Sequence, residues 1–126
     1  MKKAPAKIIL VVEDEPTISQ VCHRVLTGEG FQVDIAVNAE IAKQILDVKK
    51  YDLCLIDIRT PAMNGDELYD WLTGKHPSQA SRVIFTTGDV MNVDTQKLIE
   101  KSARPLLPKP FTPDELRDVV RTFFGM

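Results

Sequence analysis

Four short stretches carry side chains that could act together on a phosphoryl group. Glu13-Asp14 follows the apolar run Ile8-Ile9-Leu10-Val11-Val12, Asp57 follows Leu53-Cys54-Leu55-Ile56, Thr86-Thr87 follows Val83-Ile84-Phe85, and Lys109 comes just after Leu106-Leu107. Three carboxylates gathered in one place repel one another and resist ionisation unless positive charge sits among them. Lys109 supplies one positive charge and a hard divalent cation would supply more. Mg²⁺ prefers oxygen ligands, keeps several waters, and is commonly held by one or two carboxylates plus a phosphoryl oxygen. Asp57 is then the candidate nucleophile, forming an acyl phosphate, with Mg²⁺, Lys109 and the Thr87 hydroxyl neutralising charge on the equatorial oxygens. The chain has no glycine-rich phosphate loop of the Walker or dinucleotide type, so the phosphoryl donor is expected to be a separate molecule.

For these groups to meet, the elements carrying them must end at a common rim. The apolar runs read as five strands, the second being Val33-Asp34-Ile35-Ala36-Val37. The near-continuous apolar character of the first and third predicts strands covered on both faces, as in a parallel sheet. The alternation Val33/Ile35/Val37 predicts a more exposed strand. Helical patterns lie between them. Ile18, Val21, Cys22, Val25 and Leu26 form one stripe, ended by Glu29-Gly30 with a left-handed cap. Ile41, Ile45 and Leu46 mark the next helix, Leu68, Trp71 and Leu72 the third, and Leu116, Val119, Val120 and Phe123 the last. Thr112-Pro113-Asp114-Glu115 gives that last helix its N-cap, a proline at the first position and a glutamate at the third. Residues 93–101 offer only Val93, Leu98 and Ile99 for burial and predict a loosely packed helix.

Five βα units in series predict a single flavodoxin-like, doubly wound α/β domain with right-handed crossovers and a parallel sheet in the order 2-1-3-4-5. Ligands in such folds bind beyond the carboxyl ends of the strands, at the switch point between strands one and three. Asp57 ends its strand at that rim, and the turn over 61–65 leads on to the next helix.

The chain of 126 residues suits one domain, with residues 1–6 a flexible N-terminus and 7–126 the folded unit. No apolar stretch is long enough to span a bilayer, so membrane insertion is not expected and a cytoplasmic location is. The formal net charge is −2 with no basic stripe, which argues against direct nucleic-acid binding. Cys22 and Cys54 stand at apolar positions without metal-type spacing and are expected to be buried free thiols of a reducing compartment.

The stretches ILVVEDEP (9–16), LCLIDIRTPAMNG (53–65), VIFTTGD (83–89) and LLPKPF (106–111) together resemble the response-regulator receiver domain of two-component signalling. The resemblance covers essentially the whole chain. It implies that Asp57 is phosphorylated by a histidine kinase or histidine phosphotransfer protein in a phosphorelay. It implies that Glu13, Asp14, Asp57 and the Arg59 backbone carbonyl surround Mg²⁺, that Thr87 and Lys109 contact the phosphoryl group, and that Lys109-Pro110 is a cis peptide. Such a protein is no enzyme beyond promoting its own phosphorylation and dephosphorylation, and the face made by the fourth helix, fifth strand and fifth helix is the usual output or transient dimer surface. The segment 85–111 is most similar to receivers attached to hybrid sensor kinases. The chain ends at Phe123-Phe124-Gly125-Met126 without an output domain, as expected either of a free-standing regulator or of a piece of a larger protein.

Two positions depart from the family pattern. Leu106 stands where relatives hold an aromatic ring that reorients with the Thr87 hydroxyl, so that switch cannot operate as such. A shift of Leu106, or service mainly as a phosphate relay or sink, are the alternatives. Pro108 replaces a commoner threonine, and its missing N–H fits only an edge strand. Arg59 lies two residues after Asp57 and Asp89 two after Thr87, which predicts an exposed ion pair that partly covers the acyl phosphate and slows attack by water.

The individual residues also have plainer readings. Glu13, Asp14 and Glu15 before Pro16 fit a helix cap, Thr87 a strand-end hydroxyl, and Lys109 a surface lysine; only their combination points to phosphoryl chemistry. His23 and His76 read as solvent-facing, and Trp71, Phe123 and Phe124 as core or near-core, with Phe124 a candidate partner contact. A Mg²⁺-dependent aspartyl-phosphate phosphohydrolase of the haloacid-dehalogenase type is a competing function. It needs an acid two residues after the nucleophile, where this chain has Arg59, which does not exchange protons near neutral pH. A non-phosphorylated docking module is a third option, opposed by the complete set Glu13, Asp14, Asp57, Thr87 and Lys109.

Overall fold

The computed structural model describes residues 5–59 and 65–126. Five parallel strands, β1 (Ile8–Val12), β2 (Gln32–Ala36), β3 (Leu53–Asp57), β4 (Val83–Thr87) and β5 (Leu106–Pro108), form one sheet in the order β2-β1-β3-β4-β5. The helices are α1 (Pro16–Gly28), α2 (Ala39–Leu46), α3 (Gly65–Lys75), α4 (Pro77–Ala80), α5 (Val93–Ser102) and α6 (Pro113–Phe123). Successive strand residues point to opposite faces of a sheet, and each face here has its own apolar core. Leu10, Val12, Cys54, Ile56 and Phe85 pack with Leu46, Leu68, Leu72 and Leu98 on one side. Ile9, Val11, Leu53, Leu55 and Ile84 pack with Cys22, Leu26, Leu116 and Val120 on the other. Both cysteines are free and buried, and burial pushes the Cys22 thiol up to about 12.

The parallel topology and strand order match the expectation, and Pro108 does lie on an edge strand. Its neighbours retain their ladder contacts: the Phe85 N–H donates to the Pro105 carbonyl at 2.9 Å and the Lys109 N–H to the Thr87 carbonyl at 2.8 Å. The left-handed residue after α1 is Gly30, with φ +94°. Among the described residues no helix is long and apolar enough to cross a membrane. The turn over 61–65 lies, apart from Gly65, outside the described residues.

Several expectations need correction. β2 closes at Ala36, because Asn38, two residues on, already caps α2 by accepting the Ile41 N–H at 2.8 Å. Ala36 is therefore the fully buried residue and Val37 is exposed. In α5, Leu98 is buried as expected, but Val93 is exposed and Thr95 turns inward instead. The segment after α3 contains a short helix, α4, with Pro77 at its start. It is anchored by the buried Gln79, whose amide oxygen accepts the Tyr51 N–H at 3.0 Å and whose amide nitrogen donates to the Tyr51 carbonyl at 3.1 Å. His76 is half-buried at the start of α4, 3.0 Å from Asp47 Oδ1 and with its ring edge-on to Trp71. Phe124, by contrast, is near-core as expected, partly buried and stacked on Phe31.

The start of α6 is capped reciprocally. The Thr112 Oγ1 accepts the Glu115 N–H at 3.1 Å and the Glu115 carboxylate accepts the Thr112 N–H at 3.0 Å. Thr112→Ala removes one of the two bonds and is expected to lower stability by about 1 kcal/mol, read as a lower urea midpoint at unchanged slope. An unchanged midpoint would show that the cap contributes nothing to the cooperative unit.

Candidate functional site

All the residues singled out for chemistry converge at the carboxyl ends of the strands. Asp57 is the last residue of β3, the central strand, with Thr86 of β4 opposite it. Glu13 and Asp14 follow β1, and Lys109 follows β5. Glu13, Asp14 and Asp57 each bring a carboxylate oxygen to within 4.8 Å of the others. Glu13 is only 3% exposed and Asp57 5%. The Lys109 ammonium bridges the two buried acids, 2.6 Å from Glu13 Oε1 and 3.0 Å from Asp57 Oδ2.

Backbone donors complete the arrangement. The Arg59 N–H donates to Asp57 Oδ1 at 3.1 Å, and the Glu15 N–H to Glu13 Oε2 at 3.1 Å. Glu15 thus takes part through its main chain, a role that no side-chain pattern announces. Thr87 is fully buried and its Oγ1 accepts the Asp89 N–H at 3.1 Å, which leaves its own O–H free to donate elsewhere. The Arg59 guanidinium and the Asp89 carboxylate meet at 3.1 Å, as their spacing predicts. Asp14, Asp57, Arg59, Gly88, Asp89 and Lys109 line an open cleft of about 270 Å³. The Arg59 carbonyl leads into residue 60, outside the described residues. Leu106 pairs with Phe85 in the sheet and packs half-buried against the core, so an aliphatic side chain occupies the place of a ring.

The electrostatics are unbalanced. With every group ionised, three carboxylates and one ammonium sum to −2 at the floor of the cleft. Burial, the largest cause, pushes the Glu13 carboxyl up to about 7, assisted by the charge of Asp57 and opposed by the hydrogen bonds from Lys109 and Glu15. Burial alone would lower the pKa of Lys109, but its hydrogen bonds to Glu13 and Asp57 outweigh that and raise it, so it stays an ammonium at neutral pH. An all-oxygen donor set short of two positive charges suits a hard divalent cation such as Mg²⁺ better than it suits a soft metal.

The response regulator receiver domain model matches residues 9–121. The chain belongs to this family. The receiver is 33% identical over 113 residues to a probable transcriptional regulator, ycf29, of Porphyra purpurea, covering 90% of this chain and 54% of that protein. It is 30% identical over 119 residues to the transcriptional regulatory protein CrdR of Helicobacter pylori, covering 94% and 55%. The chain spans about half the length of these curated relatives. Among solved structures it resembles the signal receiver domain of a signal transduction histidine kinase from Syntrophus aciditrophicus, with TM-score 0.84 and 26% identity over 95% of this chain and 91% of that one. It also resembles a CheY-like receiver domain from Methanospirillum hungatei, with TM-score 0.83 and 25% identity over 96% of each chain. The flavodoxin-like expectation and the receiver resemblance both hold.

Proposed function

We propose that this receiver is the phosphoryl-accepting element of a cytoplasmic two-component phosphorelay, with Asp57 taking the phosphoryl group from a histidine kinase or histidine phosphotransfer protein. The observation that carries this reading is the buried Glu13–Lys109–Asp57 bridge beside Asp14 at the strand ends. A carboxylate oxygen of Asp57 attacks phosphorus, the bond from phosphorus to the donor's imidazole nitrogen breaks, and an acyl phosphate remains on Asp57. Lys109 exchanges its contact with the Asp57 carboxylate for one with a phosphoryl oxygen, and the free O–H of Thr87 donates to another. Glu13, Asp14, Asp57 and the Arg59 carbonyl would hold Mg²⁺, which when bound neutralises charge building on the phosphoryl oxygens.

The same reading gives the domain a switching or relay role, with α5, β5 and α6 as a surface for an output partner or a transient dimer. Arg59, tied to Asp89 and unable to donate a proton near neutral pH, supplies none of the acid chemistry that a phosphomonoester hydrolase needs.

The test is intact mass after incubation with acetyl phosphate, for wild type and Asp57→Asn, with Mg²⁺ or with EDTA. One phosphoryl adduct on wild type with Mg²⁺, and none on Asp57→Asn, is the expected result. An adduct of equal yield on Asp57→Asn would remove Asp57 from its role.

A further inference from the structure

Thr86 stands beside Asp57 on the same face of the sheet. It is registered with Asp57 across the β3–β4 ladder and with Leu107 across the β4–β5 ladder. Successive strand residues alternate between faces. Leu55, Ile84 and Leu107 belong to the core under α1 and α6, so Asp57, two residues after Leu55, and Thr86, two after Ile84, both turn to that face. Thr87 turns to the other and is a separate hydroxyl. Lys109 follows β5 and meets Asp57 at the end of β3, so its side chain reaches across the end of β4, where Thr86 is the last residue on that face.

Two hydrogen-bonding groups are left over there. Thr86 is only 3% exposed and its carbonyl accepts the Ile58 N–H at 2.9 Å, but among the described residues its hydroxyl has no partner. Enclosed side-chain polar atoms among the described residues all have partners, so this hydroxyl keeps an opening to solvent. An ammonium has three N–H donors, and Lys109, 11% exposed, directs two of them to Glu13 and Asp57. A nearly buried hydroxyl that makes no hydrogen bond is a cost that valine, of the same shape, would not carry.

We propose that Thr86 is a positioning residue for Lys109, its Oγ1 accepting the remaining N–H of the ammonium as Lys109 leaves the Asp57 carboxylate for a phosphoryl oxygen; the proposal rests on Asp57 being the phosphoacceptor. Glu13 retains its N–H, the phosphoryl oxygen takes the one that Asp57 gives up, and Thr86 fixes the third, so the ammonium stays aimed at the reacting centre. Thr86 itself touches neither phosphorus nor the leaving group.

The experiment follows adduct formation from acetyl phosphate with Mg²⁺ by intact mass, alongside urea unfolding of the unphosphorylated proteins. Wild type is compared with Thr86→Val, Thr86→Ser, Lys109→Ala and the Thr86→Val/Lys109→Ala double variant. Thr86→Val is expected to slow phosphorylation about three- to tenfold, the scale of one lost hydrogen bond, with a urea midpoint no lower than that of wild type. Thr86→Ser restores the hydroxyl and should recover most of the rate. In the Lys109→Ala background Thr86→Val should slow the reaction no further, because the group it positions is gone. A merely structural role would move rate and stability together and would not depend on Lys109.

Phosphorylation of Thr86→Val at the wild-type rate overturns the proposal. So does a Thr86→Ser as slow as Thr86→Val, which would make side-chain shape the cause, or an undiminished effect in the Lys109→Ala background. A Thr86→Val protein clearly less stable than wild type would show the hydroxyl already bonded in the resting fold and overturns it as well. A wild type that takes no phosphoryl group from any donor overturns the proposed function along with it, whereas the other results overturn the role of Thr86 alone.

Discussion

Lys109→Ala is expected to lose stability and phosphoryl acceptance together, by amounts that depend on pH. The Lys109 side chain is 11% exposed and lies against two acids more deeply buried than itself. Removing one partner from a buried ion pair costs about 3–5 kcal/mol when the other is left charged. Here Glu13 can take up a proton instead, since burial already pushes its carboxyl up to about 7. The loss is therefore expected to approach about 3 kcal/mol at pH 8 and to shrink towards pH 5, as protonation relieves the repulsion. Lys109→Met keeps most of the side chain's packing and separates the lost charge from the lost contacts. Phosphorylation by acetyl phosphate should fall by about a hundredfold or more in both variants, the scale expected for deleting a charged donor at a developing oxyanion. Urea unfolding at the two pH values, together with adduct formation rates, checks both arms. A Lys109→Met protein as stable as wild type at pH 8 would mean that the two acids need no ammonium between them.

The same electrostatic logic accounts for what was legible in the sequence. Strand-end chemistry is readable because an acid, hydroxyl or lysine directly after an apolar run stands out against it, and topology then brings such residues to one rim. Asp57, Glu13, Thr87 and Lys109 could thus be placed together from order alone. The Arg59–Asp89 contact was also predictable, because each residue follows a strand-end group by two positions on adjacent strands β3 and β4. What failed did so where a backbone decides the outcome. The end of β2 depends on Asn38 capping α2, and α4 depends on Gln79 folding back on Tyr51. Neither bond leaves a periodic trace. Val93 turns outward because the Asn92 side chain, accepting from the Asp94 and Thr95 N–H groups, fixes where α5 begins and so which of its residues faces the core.

Glu13→Gln should stabilise the receiver at alkaline pH in EDTA while removing its response to Mg²⁺. Burial raises the Glu13 carboxyl from 4.5 to about 7, so between those values the folded state binds a proton that the unfolded chain has already released. The contribution of Glu13 to stability is therefore complete below about pH 4.5, declines as pH rises through 7, and is flat above. The total decline is about 3 kcal/mol, taking 1.4 kcal/mol per pH unit. Glutamine carries no charge at any pH and can still accept from Lys109, so this decline should vanish; its amide nitrogen cannot accept the Glu15 N–H, a loss of about 1 kcal/mol, so the variant should be about 1–2 kcal/mol more stable than wild type at pH 8 and about 1 kcal/mol less stable near pH 4.5. Mg²⁺ should close most of that gap. A cation held by Glu13, Asp14 and Asp57 relieves the repulsion in wild type, adding about 1.4 kcal/mol at ten times its dissociation constant, whereas the variant has lost a charged ligand. Thermal unfolding at pH 5, 6.5 and 8, in EDTA and in Mg²⁺, gives the six comparisons. A variant less stable than wild type at pH 8 in EDTA would show that the buried carboxylate is already compensated by Lys109. The site's unbalanced charge would then have to be sought in Asp14 and Asp57 instead.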